Sequence, residues 1–228
     1  MDTRSVEKLY SNRNSEDWRS RFFRWLQPPA PYIHNLDERN IDAPLGRWNL
    51  YIGGAGNQVD GYVNLDLFPL TGVNVTANAE HLPFPDNQFT RVECDAVLEH
   101  AEDPYAIARE IERVLAPGGY AHLVVPFCHP FHEYPRDFRR FSPDGLEQLR
   151  GKLIVVKSGW RTGPTATLLV FILEYAKLWT TNRVFRAIIH VVLGWLLFPL
   201  RYLDKLLLNK PSATRLGNHC YIWLRKGA

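Results

Sequence analysis

The stretch Asn49-Leu50-Tyr51-Ile52-Gly53-Gly54-Ala55-Gly56 decides how this chain is read. Asn49–Ile52 is predicted to be a short apolar strand, and the glycines after it let the backbone approach a ligand where no Cβ intervenes. A second predicted strand, Tyr62–Asp66, ends in a carboxylate ten residues after Gly56. A carboxylate at a strand end can accept both hydroxyls of a ribose. A dinucleotide site needs GxGxxG, a full helix and an acid about 20 residues further on. Here almost no room is left for a crossover helix, and no GxxxxGK[ST] loop is present. The spacing fits a ribose-bearing ligand without a pyrophosphate.

Outward from this stretch, strands alternate with helices. Val73–Thr76 and Arg91–Ala96 are the next predicted strands. Asp103–Leu115 is the clearest helix: Asp103 caps it, Pro104 fills its first turn, and Ile107, Ile111, Val114 and Leu115 share one face. Pro117-Gly118-Gly119 is expected to end it. Ala121–Val125 reads as a buried strand, Ser142-Pro143 opens a helix to about Leu149, and strands follow at Leu153–Val156 and His219–Arg225. The pattern predicts a Rossmann-like α/β fold with a mostly parallel central sheet, helices on both faces, and a helical insertion before the last strand. The expected division is a helical lead-in or lid over 1–47, carrying Trp18, Phe22, Phe23 and Trp25–Leu26, and one domain over 48–228 with 160–218 as the insertion. In such sheets ligands bind at the carboxyl ends of strands. Gly53–Gly56, Asp66, Asn78–Ala79, Asp95 and the loop after Val125 all fall there.

Five runs occur in order: Leu50–Gly56, Asp66, Ala77-Asn78-Ala79-Glu80-His81-Leu82-Pro83-Phe84, Val97-Leu98-Glu99-His100, and Arg113-Val114-Leu115-Ala116-Pro117-Gly118-Gly119. Together they resemble the class I S-adenosylmethionine-dependent methyltransferases, and within them the type 11 methyltransferase domains. The resemblance implies that Gly53, Gly54 and Gly56 lie against the methionine part of S-adenosylmethionine and that Asp66 holds its ribose. It implies further that Asn78 and the backbone of Ala79 meet the adenine edge, with Asp95 beside the reactive end. Two positions depart from the family pattern: Tyr51 stands where an acid is usual, and Ala55 where glycine is usual. They favour the alternative of a catalytically silent binding or scaffold protein with the same fold.

The segment Pro126–Phe141 follows the fifth strand, where the fold would put the methyl acceptor, and is dense in His, acid and aromatic residues. An oxygen or nitrogen acceptor usually needs a base. His132 and His129 are the candidate bases, with Asp137 as orienting partner. The competing reading is that Asp137 pairs with Arg139 or Arg140 to pin the loop. His100 is read as structural. Similar His–Pro–Asp–Arg–Phe stretches in type 11 relatives imply a small-molecule, glycan-like or lipid-linked acceptor. Cys94, Cys128 and Cys220 form no CxxC or Cys/His cluster, so no metal is expected and a reducing cytoplasmic compartment is the default. No apolar leader is expected at the N-terminus.

Charge is distributed unevenly. Residues 1–150 carry 15 basic and 22 acidic side chains, whereas residues 151–228 carry 12 basic ones and only Glu174 and Asp204 as acids. The basic residues are interleaved with the apolar runs Thr165–Ala176 and Ala187–Leu200, a pattern that favours lipid over nucleic acid. The second run, 14 residues without Lys, Arg, Asp or Glu, falls short of the roughly 20 needed to span a bilayer. The expectation is therefore peripheral contact with the inner face of a membrane through 165–210. A homodimer face or an acceptor pocket are the alternatives.

Overall fold

The computed structural model describes residues 25–133 and 135–227. Of the residues on which the expected N-terminal helix rests, Trp18, Phe22 and Phe23 lie outside those described. The strands are β1 (Asn49–Ile52), β2 (Val63–Asp66), β3 (Val75–Thr76), β4 (Phe89–Asp95), β5 (Leu115–Pro126), β6 (Ile154–Thr162) and β7 (His219–Arg225). They form one sheet in the order β3-β2-β1-β4-β5-β7-β6. All neighbours are parallel except β7, which runs antiparallel to both β5 and β6.

The order reverses after β1, because β2 and β3 lie to one side of it and β4 to the other. Such a reversal leaves a crevice at the carboxyl ends of the strands. No helix is formed between β1 and β2, as their ten-residue separation requires. α1 (Pro104–Val114) runs between β4 and β5; the Asp103 carboxylate accepts from the Tyr105 and Ala106 N–H groups, and Pro104 occupies the first turn. α1 ends at Val114, before Pro117-Gly118-Gly119, because Leu115 already begins β5 beside Phe89. α2 (Pro143–Glu147) is capped by Ser142.

Side chains alternate across the sheet as the strand period demands. Leu123, Cys220, Ile222 and Leu224 face one core with Leu50, Val92, Ile107, Ile111 and Leu146. Val124, Tyr221 and Trp223 face the other way, where Ala43 and Ile41 pack on them. The short segment before β1 thus covers part of the second face, where a crossover helix would ordinarily lie. Its anchor is the Asn35 N–H donating to the Arg161 carbonyl on β6.

β6 reaches Thr162, so the expected start of the insertion at 160 is corrected: residues 160–162 pair with β7, and the helices occupy 163–218. α3 (Pro164–Lys177) buries Ala166, Leu169 and Leu173. Its N-terminus is capped from a distance by fully buried Asp204, which accepts from the Thr165 and Ala166 N–H groups at 2.8 and 3.0 Å. α4 (Arg183–Leu197) follows an Asn182 cap and continues through a 3-10 stretch, Phe198–Leu203, into α5 (Asp204–Leu207). The whole path Arg183–Leu207 is 25 residues and holds an 18-residue window of mean hydropathy 1.6, long and apolar enough by length and composition to cross a membrane. That exceeds the 14-residue run read from the sequence, since the helix continues through Arg201 and Lys205.

Candidate active site

One cavity of about 980 Å³ opens at the carboxyl ends of the strands, at the upper end of the range for ligand sites. Its wall at one end is Gly53, Gly54, Ala55, Asp66, Asn78 and Ala79; at the other it is His100, His129, His132 and His219. Asp95 and Arg161 also line the cavity.

The glycine turn is shaped for close approach. Gly53 has φ 76°, and a Cβ there would lie 2.1 Å from Val97 Cγ2. Ala55 adopts φ 50°, a left-handed conformation that favours glycine, and its N–H donates to Asp66 Oδ2 at 2.9 Å. Gly56 does not border the cavity; its turn packs against Leu70 and Thr71 instead. The expectation for Gly56 is corrected accordingly. Asp66 Oδ1 accepts from the Phe68 N–H at 3.1 Å. Each carboxylate oxygen therefore spends one acceptor position on backbone, and a carboxylate has about four. Room for two ribose hydroxyls remains. The Asn78 side chain accepts from the Glu80 N–H, which holds it at the cavity edge.

Asp95 is not free: Arg161 Nη1 donates to its Oδ2 at 2.5 Å. The same guanidinium holds Glu38 through Nε and Nη2, at 2.9 and 2.7 Å. Neither Arg161 nor Glu38 was picked out by sequence reasoning, for they are 123 positions apart and neither sits in a motif. The only available signal was a second basic residue, after Lys157, within the strand β6. Glu38 also has His122 Nε2 at 3.0 Å, and His122 stacks on Trp223 with ring centroids 4.2 Å apart. Burial would raise the Glu38 carboxyl, but His122 and Arg161 outweigh it and hold it at about 2, below the ordinary 4.5.

That shift has a sign. A depressed carboxyl contributes stability above its unfolded pKa and loses it as pH falls through the folded one. The contribution of Glu38 to stability should therefore hold above about pH 4.5 and be lost, by a few kcal/mol, between there and about 2. Glu38→Gln should flatten this part of the profile. An unchanged profile by urea titration would show that Glu38 is not the group responsible.

At the far end the loop residues separate into two sets. Arg140 donates to both oxygens of Asp137, to the Pro130 carbonyl and to the His129 carbonyl, pinning the loop. Asp137 lies behind His132, accepts its backbone N–H at 2.7 Å, and does not reach the cavity wall. It is thus a loop anchor with its Oδ2 3.4 Å from His132 Nδ1. His129 Nδ1 meets Asn218 Oδ1 at 3.1 Å, and burial lowers the His129 pKa below its ordinary value. His129 is ring-packed against His132 and His219, with centroids 5.0 and 4.9 Å away. His219, at the start of β7, is pushed down to about 3 by burial and by His129. Beneath the histidines lies Glu99, fully buried, its carboxyl raised to about 8 chiefly by that burial.

Comparison with known proteins agrees with this geometry. Residues 63–123 match the methyltransferase domain family. Over 62 residues the chain is 47% identical to the ubiquinone/menaquinone biosynthesis C-methyltransferase UbiE of Shewanella frigidimarina. That match covers 27% of this chain and 24% of the relative, so the chain spans about a quarter of the length of the curated relatives it matches. Among solved structures, the Haemonchus contortus phosphoethanolamine N-methyltransferase 2 in complex with S-adenosyl-L-methionine superposes with a TM-score of 0.53 at 15% identity. It covers all of this chain and 60% of that one. A chain from the Haloferax volcanii complex containing the Trm112 methyltransferase activator gives 0.50 at 14% identity, covering 84% and 87%. The fold is that of the class I methyltransferases, and residues 63–123 carry their methyltransferase-domain sequence.

Proposed function

We propose that this chain transfers a methyl group from S-adenosylmethionine to an oxygen or nitrogen of a small-molecule, glycan-like or lipid-linked acceptor. The observation that carries this reading is the single cavity joining the Gly53–Asp66 end to the histidine end. When bound, S-adenosylmethionine supplies a methyl group on a positively charged sulfur, the electrophile of an in-line displacement. Gly53 and Gly54 leave room for the cofactor's amino-acid part, Asp66 accepts from its ribose, and Asn78 and Ala79 border its base. Arg161 neutralises and orients Asp95 on the cavity wall.

The acceptor proton falls to His129. Asn218 donates its amide to the Cys128 carbonyl at 2.7 Å, which turns its oxygen towards His129 Nδ1. An oxygen can only accept, so Nδ1 carries the proton and Nε2 keeps its lone pair. His132 faces Glu99 instead, and its Nε2 lies 3.8 Å from Glu99 Oε1.

Asp66→Ala removes two charge-assisted hydrogen bonds to the ribose, about 1.5–3 kcal/mol each. Affinity for S-adenosylmethionine should fall roughly tenfold or more while the fold persists. Overlaid calorimetric titrations of wild type and variant would refute the ribose assignment. A silent binding protein is the second reading, favoured by Ala55 in its left-handed conformation on the cavity wall. It requires that wild type bind no S-adenosylmethionine in the same titration, or bind it without any methyl transfer.

The same proposal includes a location, the cytoplasmic face of a membrane. α4 buries little but Gly194, which meets Pro28, and leaves Val184, Phe185, Ile188, Val192 and Leu196 exposed. Arg183 precedes this face, Arg186 lies within its first turn, and Arg201 and Lys205 follow it. Trp195 donates to the Leu26 carbonyl, Arg201 to the Ala30 carbonyl, and Asp204 caps α3. The far end of the helix is therefore fastened to the domain, which supports lying along the interface rather than crossing it.

A further inference from the structure

The histidine end of the cavity contains a group the transfer reading leaves unused. Glu99 is fully buried, and neither carboxylate oxygen has a hydrogen-bond partner among the described residues. Buried polar atoms without partners are rare and call for an explanation, an ion among them. Two imidazole nitrogens approach the same oxygen: His100 Nε2 at 3.7 Å and His132 Nε2 at 3.8 Å from Glu99 Oε1. One donor atom from each of the three lies within 4.8 Å of the other two.

The tautomers can be assigned from the other ring nitrogens. His100 Nδ1 contacts the Arg136 carbonyl, which only accepts, so Nδ1 carries the proton and Nε2 a lone pair. His132 Nδ1 faces the Pro130 carbonyl at 3.3 Å and Asp137 Oδ2 at 3.4 Å. Arg140 Nη2 is also 3.4 Å away, but its two hydrogens already go to Pro130 and Asp137 at 2.7 and 2.6 Å. His132 Nδ1 therefore donates, and its Nε2 also presents a lone pair. Two lone pairs and a carboxylate face one point, with each imidazole held from behind by an oxygen. That is the arrangement of metal-binding histidines and their outer partners.

We propose that Glu99, His100 and His132 bind a divalent transition-metal ion of the zinc class at the acceptor end of the cavity. Ligands about 2.1 Å from a tetrahedral zinc lie roughly 3.4 Å apart, close to the 3.7 and 3.8 Å that separate Glu99 Oε1 from the two imidazole nitrogens. Two histidines and one glutamate are a ligand set that zinc accepts in catalytic sites, with a position left open. Here the open side faces the cavity, because His100 and His132 line it and Glu99 lies behind them. The metal would hold an oxygen of the acceptor there and lower its pKa. This role rests on the methyl-transfer reading; the binding itself does not. Spacing along the chain does not mark Glu99, His100 and His132 as one ligand set, since they come from a 3-10 turn after β4 and from the loop after β5.

The test is zinc titration of the chelator-stripped full-length chain against a chromogenic competitor. One zinc per chain is expected, and Glu99→Gln and His132→Ala should each weaken it tenfold or more, at least the loss seen for outer-sphere partners. Melting curves check that the variants fold. If they do not, cobalt on the wild type serves: intense visible bands of a four- or five-coordinate ion support the site, and the faint spectrum of hydrated cobalt overturns it. Zinc binding that is absent, or equal in Glu99→Gln and wild type, also overturns it. Calorimetry with S-adenosylmethionine on the same samples keeps the two ideas apart. Zinc without cofactor binding sinks the transfer reading alone, and cofactor without zinc binding sinks the metal alone.

Discussion

His129→Ala is expected to lower methyl transfer about 10²-fold or more, with affinity for S-adenosylmethionine unchanged. The imidazole stands on the cavity wall with its tautomer set by Asn218 and its Nε2 unprotonated. Burial lowers its pKa, so it is neutral at pH 7 and able to take a proton. Removing it leaves cofactor contacts intact, because Gly53, Gly54 and Asp66 lie at the opposite end. The loss should therefore appear in turnover and not in binding. Incorporation of radiolabelled methyl into an extract fraction that supplies the acceptor measures the first, and calorimetry the second. Asn218→Leu tests the tautomer argument separately: with no oxygen at Nδ1 the ring is free to rotate, and part of the loss should follow. Equal incorporation by wild type and His129→Ala would mean that no base at this position is required.

The extent to which these features were legible follows from how local each signal is. The bounds of β7, the Asp103 cap and the helix start at Ser142 are legible in the sequence, because alternation and capping are properties of adjacent residues. The missing helix between β1 and β2 was also readable, as it is a matter of spacing. β6 was cut short at Val156 because Lys157 and Arg161 interrupt its apolar run. Those two residues turn out to be tethers, Lys157 to Asp37 and Arg161 to Glu38 and Asp95. Long-range ion pairs of this kind leave no periodicity to find. Gly56 is expected at the cavity from its motif, yet its turn packs against Leu70, whereas Asp137, expected as an orienting partner, stands 3.4 Å from His132 Nδ1 and also anchors Arg140. Both lie one layer behind residues that do line the wall, a distinction set by the course of the backbone at Gly56 and by side-chain direction at Asp137. Asp204 illustrates the same limit: one of only two acids in the basic third, it is buried as the cap of α3.

Val192→Asp with Leu196→Asp should release the chain from anionic vesicles to which wild type floats. The two positions are one helical turn apart on α4 and are 63% and 70% exposed, so the charges enter no protein core. An interfacial helix is held by buried apolar area and by attraction of about 1 kcal/mol per basic residue near the surface. Residues 151–228 offer 12 basic side chains against two acids, which suits an anionic surface. Two carboxylates at acyl depth oppose both terms, by desolvation and by repulsion from the lipid headgroups. Wild-type binding should also weaken as salt rises, since screening shortens to about 8 Å at physiological strength. Melting temperature and S-adenosylmethionine affinity should stay as in wild type, because α4 contributes only Gly194 to the interior. Flotation at two salt concentrations, with and without anionic lipid, measures all of this. If wild type stays unbound at low salt and high anionic lipid, the membrane reading fails. The exposed face must then be covered by a second copy of the chain, and sedimentation would show a dimer that the paired aspartates dissociate.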